Sequence, residues 1–183
     1  MIEKLSGLTY FDYVRQHIFQ PAGMVDSDFL DLDDLSPRVA EGYLPVQTED
    51  GVVTGWKKNI YAATAGGAAD GGSTNSAEDI LRFSAALRSG KLVSLQSFEA
   101  IITPRVVEDE ENTPGYLFRY GFGCFLMLDA NGRTLRWGHT GEEDGVSCRL
   151  WHYPQHELDV VILGNQFGCA GKATRILQQE IFK

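Results

Sequence analysis

The chain has 183 residues, 43% of them hydrophobic and 11% aromatic, with a formal net charge of −9 and a pI of about 4.8. These values are typical of one globular domain with its own core, and they exclude a disordered chain. The negative charge argues against a nucleic-acid backbone or an anionic membrane as the partner. No apolar run reaches the roughly 20 residues that a membrane-spanning helix needs, so we expect no transmembrane segment.

The first seven residues have neither the basic leader nor the apolar centre of a signal peptide, and they assign no compartment. Cys124, Cys148 and Cys169 are widely spaced and form no Cys-x-x-Cys pair. We therefore expect buried free thiols, with a disulfide as the minority alternative. We also expect no cofactor.

The first quarter of the chain carries the caps of two helices. Residues 1–5 have the pattern of the last turns of a helix that Gly7 ends. Thr9 and Asp12 then form a pattern like a capping box, and the helix that they begin runs to Pro21. Because no helix start precedes this first helix end, we expect the sequence to begin within a helical hairpin.

Residues 26–72 are predicted to be rich in loops, with short strands at 39–46 and 52–57. The segment 62–72 consists of small residues and has the flexibility of a phosphate-binding loop. It contains neither a Gly-Lys-Ser/Thr nor a Gly-x-Gly-x-x-Gly pattern, so we expect a tight loop that leads into a helix.

Two helices are predicted next. Ser76 and Asp79 mark a well-capped start, and Ser89-Gly90 ends the helix after two turns of apolar residues at helical spacing. A shorter helix over residues 95–102 ends near Pro104, because the residue before a proline disfavours the helical conformation.

The last third of the chain changes to strand-like composition, with turn residues in its short connectors. The strand-like runs are residues 116–128, 133–137, 146–153 and 158–163. Short connectors predict an antiparallel meander. A final helix over 172–182 places its apolar residues, Ala173, Ile176, Leu177 and Ile181, on one face that is suited to cover the sheet. The expected class is therefore α+β.

Between two strand-like runs lies the tripeptide His139-Thr140-Gly141. An imidazole carries a proton near neutral pH, and a threonine hydroxyl donates or accepts a hydrogen bond. A glycine lets a ligand approach the backbone closely. These three residues suit an anionic or carbonyl-bearing substrate, although three residues alone are a weak signal.

Other polar patterns have simpler interpretations. Ser73 and Asn75 form a Ser-x-Asn pattern, but both residue types are expected in a loop before a helix cap. His152 and His156 have a spacing seen in metal sites, but a strand followed by a turn separates them, so we expect no metal. The acidic run 142–144 suits a solvated turn, and its proximity to His139 would raise the pKa of that imidazole.

The aromatic residues near the tripeptide have two interpretations. They are Tyr116, Tyr120, Phe122 and Phe125, which pack in a sheet core by default and line a ligand groove in the alternative. Trp137, beside the tripeptide, fits either place.

Longer segments carry a resemblance to a known family. Residues 5–24, which end in Pro21-Ala-Gly-Met24, resemble a helix and Pro-Leu-Gly-Met ending of the serine β-lactamase and penicillin-binding-protein-like family. Residues 71–83 are similar to the Gly-Gly loop and following helix of the branch that holds class C β-lactamases, D-aminopeptidases and esterases. Residues 138–141 match its Lys/His-Thr/Ser-Gly motif, and residues 150–165 resemble its last hairpin.

The resemblance implies acyl transfer through a serine nucleophile. It assigns electrostatic assistance or proton transfer to His139 and a hydrogen bond with substrate to Thr140. Gly141 would keep the strand open, and the backbone N–H of Glu142 would be one of two oxyanion-hole donors. A histidine in place of the motif's lysine removes a permanent cation, so an esterase or peptidase fits at least as well as a β-lactamase.

Two motifs of that family do not occur in these 183 residues, namely Ser-x-x-Lys and Tyr-x-Asn. We therefore interpret 1–183 as the C-terminal part of one β-lactamase-like domain. Residues 1–104 would form its helical and loop subregion, and residues 105–183 its antiparallel strands and final helix. The compartment stays open, because members of this family are often periplasmic or secreted.

Three functions follow from this interpretation. The chain is part of a hydrolase acting on a β-lactam, D-amino-acid peptide or ester, and is inactive alone. Alternatively, it is a non-catalytic module that binds peptidoglycan or an acyl peptide, or an assembly piece that completes another chain. An incomplete fold would leave a strand edge and apolar surface exposed, so self-association is expected.

Overall fold

The computed structural model describes residues 1–31, 33–34, 36–60, 66–109 and 115–183, and it has mixed α+β architecture with antiparallel strands, as predicted. The described residues divide into two compact units. The first unit comprises Met1–Asp26, Ser76–His139 and Leu150–Val161. The second unit comprises Ser27–Asn75, Thr140–Arg149 and Ile162–Lys183.

The first unit begins with helices that follow their predicted caps. They run over Ile2–Ser6 (α1), Tyr10–Val14 (α2), a π-helical segment Arg15–Phe19, and Gln20–Ala22 (α3). The Thr9 hydroxyl accepts a hydrogen bond from the Asp12 N–H at 3.1 Å, which confirms this residue as the N-cap. Gly7 and Gly23 end their helices with φ of 75° and 76°, a left-handed conformation that glycine adopts without strain.

Two more helices of the first unit run over Ala77–Arg88 (α4) and Leu95–Ile101 (α5), within a residue of their predicted ends. The Ser76 hydroxyl caps α4 by accepting from the Asp79 N–H. The Asp79 side chain is fully buried and accepts a hydrogen bond from the Asp26 N–H at 2.7 Å. This contact joins the start of α4 to the turn that follows α3.

Six strands form one sheet in chain order. Their bounds are Val106–Asp109 (β3), Tyr116–Tyr120 (β4), Phe125–Asp129 (β5), Thr134–Glu143 (β6), Val146–Tyr153 (β7) and Leu158–Gly164 (β8). The pairs β3–β4, β4–β5 and β5–β6 are antiparallel. This order confirms the predicted meander.

Three details of the sheet differ from the prediction. Residues 116–128 are two strands rather than one, because a turn intervenes in which the Gly121 N–H donates to the Cys124 carbonyl at 2.8 Å. β3 was not predicted. β6 continues for six residues beyond Trp137, so the tripeptide lies within a strand and not between two strands.

The core of the first unit forms where α5 packs on one face of the sheet. Its buried members are Phe98, Cys124, Leu126, Leu128 and Trp137. The rings of Phe98 and Trp137 meet edge to face with centroids 5.5 Å apart. Burial raises the pKa of the Cys124 thiol to about 11, so this cysteine behaves as an apolar side chain. This placement settles that Trp137 belongs to the core.

The second unit contains a separate two-stranded antiparallel sheet, Tyr43–Gln47 (β1) and Val53–Lys58 (β2). The predicted first strand began four residues too early. Asn59 is buried after β2, and its side-chain amide donates to the Asp144 carbonyl at 2.9 Å. Gly42 and Gly145 leave the space that this amide fills, since a Cβ at either position would meet it within 3 Å.

The final helix runs over Cys169–Ile181 (α6) and begins three residues before its predicted start. Its buried residues are Ala170 and Thr174. Ile176 and Leu177 were predicted to cover the sheet, but they are 66% and 39% exposed. Ala170 and Thr174 lie one turn apart on the inner face, and Ile176 lies on nearly the opposite side, because two residues turn the helix by about 200°. In the part of the chain that the structure describes, no helix has the length and apolar character to cross a membrane.

Candidate active site

All four residues predicted for the site lie consecutively on β6. His139 is exposed, Thr140 and Gly141 are partly buried, and Glu142 lies beyond them on the same strand. The preceding Gly138 is buried with φ of 155°, and a Cβ there would collide with the Leu150 carbonyl oxygen. Only glycine fits at this position, because the backbone just before the tripeptide packs directly against the backbone of β7.

The imidazole of His139 lies against two aromatic rings on neighbouring strands. Tyr120 Oη is 2.8 Å from His139 Nε2, and the Phe125 ring centroid is 4.7 Å from the imidazole centroid. The register accounts for the cluster, since Tyr120 pairs with Phe125 and Phe125 pairs with Gly138. These two aromatic residues therefore lie beside the tripeptide.

The Tyr120 hydroxyl is a proton donor at neutral pH. Partial burial, and after it the negative charges of Glu108 and of an ionised Cys124, raise the pKa of Tyr120 above its usual value. The protonated hydroxyl can donate to Nε2 or accept from it, so the direction of this hydrogen bond follows the imidazole tautomer. Tyr120 therefore links its hydroxyl to one of the two imidazole nitrogens, Nε2.

The two glycines of the strand differ in how tightly they are enclosed. A Cβ on Gly141 would lie 2.6 Å from Cys148 Sγ, a side-chain atom of β7. At Gly138 the obstacle is a backbone carbonyl. A thiol can rotate away, whereas a strand carbonyl cannot, so Gly141 is the more tolerant position.

The carboxylate of Glu142 is bound within its own hairpin and at the start of α6. Its Oε1 accepts from Ser147 Oγ at 2.9 Å and from Arg149 Nη2, and its Oε2 accepts from the Gly168 N–H at 3.0 Å. Burial alone raises the pKa of this carboxyl, but the hydrogen bonds from Gly168, Ser147 and Arg149 outweigh it, and the pKa lies below its usual value. Glu142 is therefore not a free acidic residue of a solvated turn.

The other candidate patterns have local roles. The Asn75 amide donates to the carbonyl and hydroxyl oxygens of Ser73, at 3.0 and 2.9 Å. His152 is buried, and its Nδ1 faces Asp159 Oδ1 at 3.0 Å. His156 lies in the 3₁₀ turn that follows β7. No group of three metal-ligating side chains occurs among the described residues.

Sequence reasoning missed Ser147 and Arg149 as neighbours of the predicted residues. A usable signal was present in Asp144-Gly145, a favoured two-residue hairpin turn. Counting outward from that turn places Ser147 opposite Glu142 and Cys148 opposite Gly141. We instead predicted that one strand ends at residue 137 and the next begins at residue 146, which hid this pairing.

Comparison with known proteins identifies relatives over nearly the whole chain. A family model described as Beta-lactamase matches residues 1–180. Penicillin-binding protein 4* of Bacillus subtilis (strain 168) is 30% identical over 174 residues, which cover 91% of this chain and 37% of that protein.

Solved structures give the same picture. The penicillin binding protein from Bacillus halodurans matches with a TM-score of 0.85 and 29% identity, over 97% of this chain and 52% of that one. The octameric penicillin-binding protein homologue from Pyrococcus abyssi matches at 0.70 and 27%, over 90% and 35%. D-amino acid amidase from Ochrobactrum anthropi SV3 shares the fold at 0.67 and 21%, over 90% and 46%. The chain thus spans about half, or less, of the proteins that it matches.

Proposed function

This chain belongs to the beta-lactamase family, and we propose that it is the C-terminal portion of a serine hydrolase that acts by acyl transfer. The observation that carries the proposal is strand β6, on which His139, Thr140 and the peptide between Gly141 and Glu142 follow one another. The whole of 1–183 would belong to one family domain, with a helical and loop subregion over 1–104 and strands with the final helix over 105–183.

Each residue of the strand has a role in this proposal. The Glu142 N–H donates to the oxyanion that forms when a serine attacks the acyl carbonyl. Thr140 hydrogen-bonds the substrate, and His139 supplies electrostatic assistance or proton transfer. Gly141 carries no side chain that would obstruct the acyl group.

The nucleophile and its activating amine would come from outside these residues, because no Ser-x-x-Lys or Tyr-x-Asn occurs in them. The 183-residue chain by itself is therefore inactive in this proposal. Losing the nucleophile of a catalytic triad removes a rate factor of about 10⁶, and half an oxyanion hole does not replace it.

Several acyl substrates remain compatible with the strand. A histidine is not a permanent cation, so it attracts a β-lactam carboxylate less than a lysine does. The rings of Tyr120 and Phe125 beside His139 make its surroundings apolar. Such surroundings suit an ester or an amide of an apolar acyl group. The proposed substrate is therefore a β-lactam, a D-amino-acid peptide or an ester.

The test compares the chain alone with the chain joined to a preceding segment that carries Ser-x-x-Lys and Tyr-x-Asn. The substrates are nitrocefin, p-nitrophenyl acetate and D-phenylalanine amide. We expect turnover only in the joined protein and its loss in a Thr140→Val variant. Turnover by the 183-residue chain well above that of an inert control protein would contradict the proposal.

A second proposal concerns association between chains. The outer strand β3 exposes Val106 and Val107 to 57% and 53%, and its outward edge pairs with no other strand described in the structure. Such an edge pairs readily with another chain. We expect light scattering to show concentration-dependent oligomers, and Val107→Lys to reduce them. A monodisperse monomer at high concentration would contradict this proposal, whatever the hydrolase assays show.

The same edge supports an alternative role, in which the chain completes another polypeptide or binds an acyl peptide without catalysis. Ligand-detected NMR with a D-Ala-D-Ala peptide separates these possibilities. Binding without turnover in the joined protein would favour the non-catalytic module over the hydrolase.

A further inference from the structure

One peptide group on β6 is held from its carbonyl side. Arg149 Nη1 donates to the Gly141 carbonyl oxygen at 3.2 Å, and Cys148 Sγ lies 3.6 Å from the same oxygen. The carbonyl of Gly141 and the N–H of Glu142 belong to one planar trans peptide, in which they point in opposite directions. A contact that fixes the carbonyl therefore fixes the direction of the N–H.

Arg149 also holds the side chain of the residue that carries this N–H. Its Nη2 donates to Glu142 Oε1, and its Nη1 donates as well to the Cys148 carbonyl at 2.7 Å. The guanidinium is planar and rigid, so the carbonyl and the carboxylate are held in a constant relative position. Arg149 is largely buried, with 12% of its side chain exposed, and Gly171 of α6 leaves room for it.

The charge of Arg149 has two consequences for the Glu142 N–H. A cation at the carbonyl oxygen polarises the peptide, which strengthens its N–H as a donor. The same cation neutralises the Glu142 carboxylate, which would otherwise repel an anion forming at the N–H of its own residue. Both effects favour a negative charge on the far side of the peptide.

We propose that Arg149 is a positioning residue that aims the Glu142 N–H and balances the charge of the Glu142 carboxylate. The inference rests on the proposed function for its catalytic meaning, while the geometry can be tested on this chain alone. A purely structural role, in which the cluster only attaches the hairpin to α6, is the rival explanation. Ser147 separates the two, because Ser147 Oγ bonds both Glu142 and the Ala170 N–H but not the Gly141 carbonyl.

The first measurement is NMR on the isolated chain and its Arg149→Met, Arg149→Lys and Ser147→Ala variants. The carbonyl ¹³C shift of Gly141 reports its hydrogen bonding, and the residual dipolar coupling of the Glu142 N–H reports the bond direction. We expect Arg149→Met to change both, Arg149→Lys to change them less, and Ser147→Ala to leave the Gly141 shift in place. Equal values in wild type and a folded Arg149→Met would overturn the inference. If Arg149→Met does not fold, the contrast between Arg149→Lys and Ser147→Ala decides in the same way.

The second measurement is kinetic and uses the chain joined to its nucleophile-bearing segment. Removing an oxyanion-hole donor lowers kcat by about 10² to 10³, and misdirecting one should lower it by about tenfold, with KM little changed. Arg149→Lys should recover part of the loss, and Arg133→Met, on an exposed hairpin, should have no effect. An unchanged kcat in Arg149→Met would overturn the inference. Absence of turnover in the joined wild type would overturn the proposed function instead, and the NMR result would still stand.

Discussion

Each unit of the molecule contains a carboxylate bound by an arginine and a serine, and the two clusters use these residue types differently. In the first unit, Asp159 Oδ1 accepts from Arg88 Nη1 at 2.5 Å and from Ser84 Oγ at 2.9 Å, and it faces His152 Nδ1. In the second unit, Glu142 binds Arg149, Ser147 and the Gly168 N–H. Both carboxyl groups have lowered pKa values.

The two arginines differ in the atoms that accept their other hydrogen bonds. Arg88 Nη1 contacts only side-chain atoms within the cluster, those of Asp159, Ser84 and His152, so it ties α4 to β7 and β8. Arg149 also donates to backbone carbonyls, including that of Gly141 in the candidate site. The comparison teaches that an ion pair can bear on a neighbouring site through the backbone group that it holds as well as through its charges.

The largest expected effect is a difference in stability between a substitution at Gly138, in the first unit, and one at Gly141, in the second unit. Gly138→Ala combines a left-handed conformation with a backbone collision and should cost about 3–5 kcal/mol in the free energy of unfolding. Gly141→Ala meets only the Cys148 thiol and should cost about 1 kcal/mol. Urea denaturation followed by circular dichroism measures both. Gly55→Ala, on an exposed strand with open space around it, is the control and should change little.

The contrast between the two glycines would be lost if Gly141→Ala proved as costly as Gly138→Ala. A Gly141→Ala/Cys148→Ala double variant provides a further check. It should regain the stability lost by Gly141→Ala, because it removes the one side chain that the new methyl group meets.

The next effect compares the two carboxylates. Asp159→Ala leaves the Arg88 guanidinium and the fully buried Ser84 without their common acceptor, and we expect a loss of about 3 kcal/mol. Glu142→Ala should cost about 1 kcal/mol, because Arg149 keeps its two carbonyl partners. The same denaturation assay applies, with Glu180→Ala on an exposed pair as the control. Equal losses for Asp159→Ala and Glu142→Ala would remove the contrast between the clusters.

The pH dependence of stability should also depend more on Asp159 than on Glu142. Burial alone raises the pKa of Asp159, but hydrogen bonds from His152, Arg88 and Ser84 lower it below that of an unfolded aspartate, about 3.9. The unfolded state therefore binds more protons in acid, so the contribution of Asp159 is complete above about pH 4 and is lost as the pH falls through its folded value. Urea midpoints between pH 6 and pH 2 should fall less steeply for Asp159→Asn than for wild type. The slope should change less for Glu142→Gln, and parallel curves for all three proteins would refute the prediction.

The smallest expected effect is at the aromatic cluster of the candidate site. Tyr120→Phe removes the hydroxyl bonded to His139 and should cost less than about 1 kcal/mol, since both side chains reach solvent. It should nevertheless change the ratio of the two imidazole tautomers, because it removes the hydrogen-bond partner of Nε2. Long-range ¹H–¹⁵N spectra of the ring distinguish the two forms, and Tyr116→Phe on the same strand is the control. An unchanged tautomer in Tyr120→Phe would show that the hydroxyl does not determine the proton's position.

Local signals in the sequence predicted most of the elements. Thr9 and Ser76 cap their helices as expected, because a cap depends on residues within one turn of it. The antiparallel meander was predicted from its short connectors, which are likewise local features of the sequence. The prediction failed where pairing between distant residues decides the outcome, as for β3, whose short sequence has no strong alternation of its own.

The sequence by itself determined the helix caps and the antiparallel order of the strands. Only the tertiary structure decided that Ala170 and Thr174, and not Ile176, face inward on α6. It also decided that Tyr120 meets His139 and that Arg149 holds the peptide between Gly141 and Glu142. The physical reason is register: one residue of shift in a strand or hairpin turns each side chain to the opposite face, and register depends on the turns and on the whole hydrophobic pattern.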